Sequence, residues 1–177
     1  MLLSMDESAK DHIDRIREQW RLERPGLDTE ALGLFGRLFR CARLAHAALA
    51  EGLRGHDLQR GWFDILAALR RAGAPYELNP TGLMRATLLS SGGTTKRLDR
   101  LAEAGLVERR PDPSDRRGTL VRLTERGRSA IDAALDVHVA NEERLLAGLT
   151  PAERQTLDGL LRRLLVGLEG GGDRTFP

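Results

Sequence analysis

At 177 residues the chain is long enough to bury a core without disulfides or a structural metal, and it reads as one domain over 1–177. Leu, Ala and Arg dominate while aromatics make up only 4%, which favours helices over a β-sandwich or barrel. A formal net charge of +2 with a pI near 9.2 leaves local clustering to decide whether the partner is nucleic acid, and a single cysteine, Cys41, excludes an internal disulfide.

The polar start MLLSMDESAKDH does not read as a secretory signal, and no run approaches the roughly 20 apolar residues of a membrane span. A cytoplasmic protein without a membrane partner is expected, associated with the bacterial nucleoid when bound to DNA. Ile13, Ile16 and Trp20 recur at helical spacing and predict a helix over 5–24, stopped by Pro25-Gly26. Asp28 or Thr29 can cap a second helix over 28–50, with the stripe Leu32, Phe35, Leu38, Ala42, Ala45 and Leu49, closed by Gly52 and Gly55. Trp62, Ile65, Leu66 and Leu69 mark a third, ended by Gly73-Ala74-Pro75.

Asn79 before Pro80 is a helix start, with a side-chain cap followed by proline at the first helical position. This fourth helix is short, with Leu83, Met84 and Leu88 on its apolar side. Ser90 or Ser91 can start the fifth, which runs to Ala104 with Gly105 as its stop. Leu106–Arg110 and Thr119–Leu123 then alternate as strands around the turn-rich DPSDRRG, predicting a β-hairpin. Thr124 and Thr150-Pro151 start the last two helices, through Ile131, Leu135, Val139, Leu145 and Leu149, then Leu157, Leu160, Leu164 and Leu168. Residues 169–177 read as a flexible tail.

A short helix, a tight turn, a second helix and a hairpin form the order of a winged helix-turn-helix over 57–123, on a mainly α fold. At 100° per residue Leu98, Leu101 and Ala102 share one face of the fifth helix, and Lys96, Asp99, Arg100 and Glu103 the other. Ser90, Ser91, Thr94, Thr95 and Lys96 supply hydroxyls and a cation at its start, where backbone N–H groups favour phosphate. Asp115, Arg116 and Arg117 form the expected wing tip between Pro113 and Gly118, where guanidinium groups suit a minor groove and Asp115 can hold one of them in place. An isolated DRR is as a rule a solvated turn; its position directly after the helix-turn-helix points to double-stranded DNA instead.

The run SGGTTKRLDRLAEAGLVERRPDPSDRRGTLVRLTERG, with its DRR and VRLTERG, resembles the recognition helix and wing of the MarR family. The similarity extends over about 28–168. It implies a transcriptional regulator acting as a homodimer, with dimerisation helices over 28–50 and 124–168 from both termini, reading a pseudo-palindromic operator. Gly92-Gly93 departs from good helix formers in what the sequence places as the first turn of the recognition helix.

The helix before Asp28 resembles the urate-responsive branch of that family. The resemblance places a tryptophan, an aspartate and two arginines of an effector site on Trp20, Asp64, Arg97 and Arg109. Helical projection agrees in part: Asp64 points away from Trp62, Ile65, Leu66 and Leu69, and Arg97 lies on the flank of its helix. Such a set suits urate or a related small anionic aromatic as inducer of a repressor, with no cofactor. Plain packing of Trp20, pairing of Asp64 with Arg60 and simple exposure of Arg109 are the competing readings.

Two other readings compete with this one. Cys41 as an oxidant sensor is opposed by its mid-helix setting, where a lone cysteine usually behaves as a small hydrophobe. A winged-helix module that binds only proteins shares the fold but predicts no salt-sensitive DNA affinity. No metal site is expected from the scattered His12, His46, His56 and His138, and no motif of an enzyme is present.

Overall fold

Asp11 starts the first helix of the computed structural model, α1 (His12–Glu23), through a reciprocal cap. Its carboxylate accepts from the N–H groups of Ile13 and Asp14 at 2.7 and 2.9 Å, and its own N–H donates to Asp14 Oδ2 at 3.1 Å. Asp11 has the extended backbone of a cap, so this helix begins at His12; residues 5–9 of the expected helix lie outside the described residues. The structure describes residues 10–53, 58, 60–87, 94–113 and 115–170.

The chain folds as two compact units, Met1–Leu38 with Glu142–Pro177, and Phe39–Asn141. In the first, α1 lies on the start of α2 (Glu30–Leu53). Glu30 N–H donates to Asp28 Oδ1 at 2.9 Å, whereas the Thr29 hydroxyl accepts from Arg17 Nε at 3.3 Å. Asp28 is therefore the side chain that satisfies the helix start. A methyl on Gly36 would stand 3.2 Å from the buried Ile13, so the missing side chain lets the two helices approach closely. Arg37 bridges both capping carboxylates, at 2.8 Å from Asp11 and 2.6 Å from Asp14.

The same unit holds the end of α6 (Glu125–Leu145) and all of α7 (Pro151–Gly170). Thr150 and Glu153 cap α7, and Arg154 reaches back to Glu143 at 2.6 Å and to the Leu146 carbonyl at 2.9 Å. None of the residues of α7 is buried; Leu157, Leu160, Leu161, Leu164, Leu165 and Leu168 form its exposed apolar side. The helix runs to Gly170, two residues beyond its expected end, and the remaining tail lies outside the described residues.

In the second unit α2 continues through Gly52, which the sequence reading had made a terminator. Its missing side chain leaves room for Asn141: a Cβ would fall 2.0 Å from the side-chain amide nitrogen on α6, which would have to turn away. The core gathers Leu53, Leu58, Phe63, Ile65, Leu66 and Leu69 with Leu83, Leu98, Leu101, Val121, Leu123 and Ile131. α3 (Arg60–Arg71) supplies Ile65, Leu66 and Leu69 as expected, with Phe63 buried and Trp62 partly so. Cys41 is exposed on α2, and so is not the packed small hydrophobe its mid-helix position suggested.

A three-stranded antiparallel sheet, in the order β1-β3-β2, completes this unit. β2 (Val107–Asp112) and β3 (Asp115–Leu123) form the expected hairpin. β1 (Glu77–Leu78) adds a third strand on β3, pairing Glu77 with Arg122 and Leu78 with Val121.

Candidate nucleic-acid interface and effector residues

α4 (Pro80–Ala86) begins as the sequence indicated: the Asn79 side chain accepts from Gly82 N–H at 2.7 Å, with Pro80 at the first helical position. Leu83 anchors it in the core, while Met84 is exposed rather than packed and Leu88 lies outside the described residues. The described part of α5 is Thr94–Glu103. Ser90, Ser91 and Gly92-Gly93 lie outside the described residues.

Along α5 Leu98 and Leu101 are buried and Ala102 half-buried, whereas Thr95, Lys96, Arg100 and Glu103 are exposed. The amphipathic projection therefore holds, and three of the candidate DNA-facing side chains are solvent-accessible. Thr94 is its first described residue. At the other end Gly105 adopts φ 67°, with its N–H donating to the Ala102 carbonyl and that of Leu106 to the Leu101 carbonyl. This pair of bonds closes the helix in the manner that favours glycine.

The joint to α6 follows immediately. The Thr124 hydroxyl donates to the Gly105 carbonyl at 2.8 Å and accepts from Gly127 N–H at 2.9 Å. A Cβ on Gly127 would fall 1.9 Å from the Leu106 carbonyl oxygen, so only glycine fits this approach of helix start to helix end. The threonine and glycine of LTERG thus fix the recognition helix against α6, a role no periodicity in the sequence signals.

The wing departs from expectation at its tip. β3 begins at Asp115 and pairs with β2 as far as Asp112↔Asp115, with an irregularity between Pro111 and Asp112. Asp115, Arg116 and Arg117 are therefore strand positions, because the antiparallel ladder continues past Thr119 into the segment the sequence had assigned to the loop. Asp115 is exposed; the Arg116 and Arg117 side chains lie outside the described residues. Gly118 sits where a Cβ would meet Asp112 Cβ at 2.9 Å and Asp115 Cβ at 3.0 Å, which keeps the two aspartates across the narrow hairpin.

Among the proposed effector residues, Asp64, Arg97 and Arg109 belong to the Phe39–Asn141 unit and Trp20 to the other. Trp20 is 40% exposed. Arg97 is half-buried and turned toward α3: a methyl on Gly61 would lie 2.7 Å from its Nε. Asp64, also half-buried, lies on α3 one turn beyond Gly61. Arg109 reaches a different partner, with Nη2 2.6 Å from Asp99 Oδ1. Asp99, nearly half-exposed on the polar face as expected, also links α5 to β2.

Known proteins share this fold. A MarR family model matches residues 56–118, the α3–α5 segment and most of the wing. The HTH-type transcriptional regulator PecS of Dickeya dadantii is 38% identical over 152 residues, covering 86% of this chain and 92% of that protein. The chain belongs to the MarR family. Its members are DNA-binding transcriptional regulators, and E. coli MarR itself is 32% identical across 75% of this chain and 95% of its own. A MarR mutant complexed with operator DNA matches with a TM-score of 0.69 at 30% identity, over 77% of this chain and 96% of that one. Bordetella bronchiseptica BpsR, whose DNA binding is regulated by 6-hydroxynicotinic acid, matches with a TM-score of 0.66 at 27% identity, over 74% and 97%. Among the described residues no helix is long and apolar enough to cross a membrane.

Proposed function

We propose that this MarR-family chain is a homodimeric, non-enzymatic, cytoplasmic repressor that leaves a pseudo-palindromic operator when it binds a small anionic aromatic such as urate. The observation that carries the DNA-binding part is α5, whose exposed Thr95, Lys96 and Arg100 lie opposite a face buried by Leu98 and Leu101. Ser90, Ser91 and Thr94 at its start, with Asp115, Arg116 and Arg117 on the wing, complete the proposed interface. Half-sites then lie about 34–36 Å apart, one turn of the duplex. The dimer is proposed to use the terminal helices, and the exposed leucines of α7 support that reading because a stripe of that size is unusual on a monomer.

Trp20, Asp64, Arg97 and Arg109 are the proposed effector residues. Support comes from Arg97, which turns from the DNA-facing side of α5 toward α3, where Asp64 also resides. A nitrogen-rich anionic ring finds an apolar surface in tryptophan, charge in arginine and an acceptor in aspartate. The match to BpsR, regulated by a hydroxylated pyridine carboxylate, is in keeping with that ligand class. The helix α1 is proposed as the added element that the urate-responsive branch carries, which would bring Trp20 to the effector. An effector acts only through its differential affinity for the DNA-competent and released states, so a ligand beside Arg97 biases the recognition helix directly.

A gel shift with the gene's own upstream intergenic DNA, with and without urate, tests the proposal. Salt-sensitive, sequence-specific binding that urate reverses is expected. Binding that persists unchanged at saturating urate removes the effector assignment, and no binding at low salt removes the regulator.

A further inference from the structure

Successive side chains of a strand point to opposite faces of its sheet. On β2 and β3, Val107 and Val121 are buried on the face that also carries Arg109 toward α5; Glu108 and Arg122 are cross-strand partners on the other face. There a cavity of about 450 Å³ opens, lined by Glu108, Arg122, Tyr76, Glu125 and Arg128. Its volume falls within the range of small-ligand sites, roughly 300–1,000 Å³.

Tyr76 has φ 63°, a left-handed conformation that costs a bulky residue on the order of 1–2 kcal/mol. Backbone bonds hold it there: its N–H donates to the Gly73 carbonyl at 2.6 Å and its carbonyl accepts from Leu123 N–H at 3.1 Å. Glycine would relieve the strain, so the ring itself is what the position retains. The guanidinium groups of Arg70 and Arg128 lie 5.1 and 6.0 Å from its centre, and each is tied to a carboxylate, Asp132 at 2.8 Å and Glu125 at 2.9 Å. Arg122 makes no ion pair with another described residue, although Glu77 and Glu108 flank it across the sheet.

We propose that this cavity is a second small-molecule site, separate from the effector residues around Arg97. It takes an aromatic carboxylate with a hydrogen-bond donor on its far edge: the carboxylate on Arg122, the ring against Tyr76 and the donor on Glu108 or Glu125. Because its walls come from the wing strands and the first turn of α6, an occupant ties those two elements together. The proposal does not depend on urate being the effector.

4-Aminobenzoate carries all three features and serves as the probe, added to the full-length ¹⁵N-labelled protein. Saturable shifts at Tyr76, Glu108 and 122–128 are expected, with the affinity read at those residues at least tenfold weaker in Arg122→Gln and unchanged in Trp20→Ala. No saturable binding, shifts confined to other residues, equal affinity in Arg122→Gln, or loss in Trp20→Ala alone would each overturn it. Should thermal melting show that Arg122→Gln is unfolded, the double variant Glu108→Gln with Glu125→Gln, both exposed side chains, replaces it, with at least threefold weakening expected and none decisive against the site.

Discussion

Arg109 Nη2 stands 2.6 Å from Asp99 Oδ1, joining the first wing strand to the recognition helix across an exposed gap. Both side chains are nearly half-exposed, so the pair contributes at most about 1 kcal/mol to stability. Its consequence lies in binding. If Arg109 serves an anionic effector, Asp99 competes for the same guanidinium. Asp99→Asn is therefore expected to tighten urate binding several-fold, and Arg109→Gln to weaken it about tenfold, with melting temperatures within a few degrees of wild type. Calorimetric titration measures both; an identical affinity in the two variants separates Arg109 from the effector.

Gly61 makes a similar test of Arg97. A methyl there falls 2.7 Å from the Arg97 Nε, the far end of a flexible side chain, so the arginine can swing away without disturbing the core. Alanine also favours the helix by up to about 1 kcal/mol over glycine. Gly61→Ala should thus melt within a few degrees of wild type, yet, under the proposed effector assignment, need several-fold more urate for half-release of DNA in a gel shift. Unchanged release would mean that the position of Arg97 is immaterial to the response.

Gly127 leaves no such escape, since its neighbour is the Leu106 backbone carbonyl at 1.9 Å from the would-be Cβ. Gly127→Ala must move the start of α6 away from the end of α5. A cost of about 1–3 kcal/mol is expected, as for other overpacked sites. Urea unfolding followed by circular dichroism reads it as a lower midpoint with an unchanged slope. A wild-type midpoint would show that the joint relaxes freely.

These relationships mark where sequence reading stops. The buried face of α5, its Gly105 stop, the Asn79-Pro80 start and the Thr124 cap were legible because each is fixed within a few residues by helical geometry and local hydrogen bonding. β1 was not, because two residues carry no periodicity and its existence depends on pairing with Arg122 and Val121 far along the chain. The wing was drawn too short for a related reason: DPSDRRG has turn composition, but the ladder from Thr119 continues down to Asp115. The Asp99 link appeared only once the wing supplied Arg109, Gly52 was expected to close α2 rather than to leave room for Asn141, and nothing in the spacing marked Gly127 as the place where the Leu106 carbonyl comes close.

On DNA the wing and the recognition helix should separate by mutation. Arg117 is proposed to meet backbone and minor-groove potential, so Arg117→Ala should weaken binding to all sequences alike and lower the salt slope by about one. Thr95 and Lys96 are exposed on α5, and replacing either by alanine should change which bases are preferred within the half-site. Fluorescence anisotropy on operator variants across a salt series resolves the two effects. Wild-type behaviour in all three variants would relocate the interface.

The α1–α2 junction predicts an acid transition of its own. The Asp14 N–H, Arg37 and the Ile13 N–H hold the Asp11 carboxyl down from 3.8 to about 2, and Arg37 foremost, then Asp11 N–H, lowers Asp14 as well. A carboxylate depressed in the folded state contributes stability that is fully present above its ordinary value and fades as pH falls through the folded one. The contribution of these two carboxylates to the attachment of α1 should therefore be intact above about pH 5 and fade from near 3.8 toward about 2. Trp20 lies on α1, so its fluorescence in a Trp62→Phe background follows that loss. Arg37→Gln removes the leading cause at Asp14 but only a secondary one at Asp11, where the backbone donors remain. The midpoint in that variant should rise toward 3.8 without reaching it. An unchanged midpoint would mean that the caps alone, and not the arginine bridge from α2, hold the first helix in place.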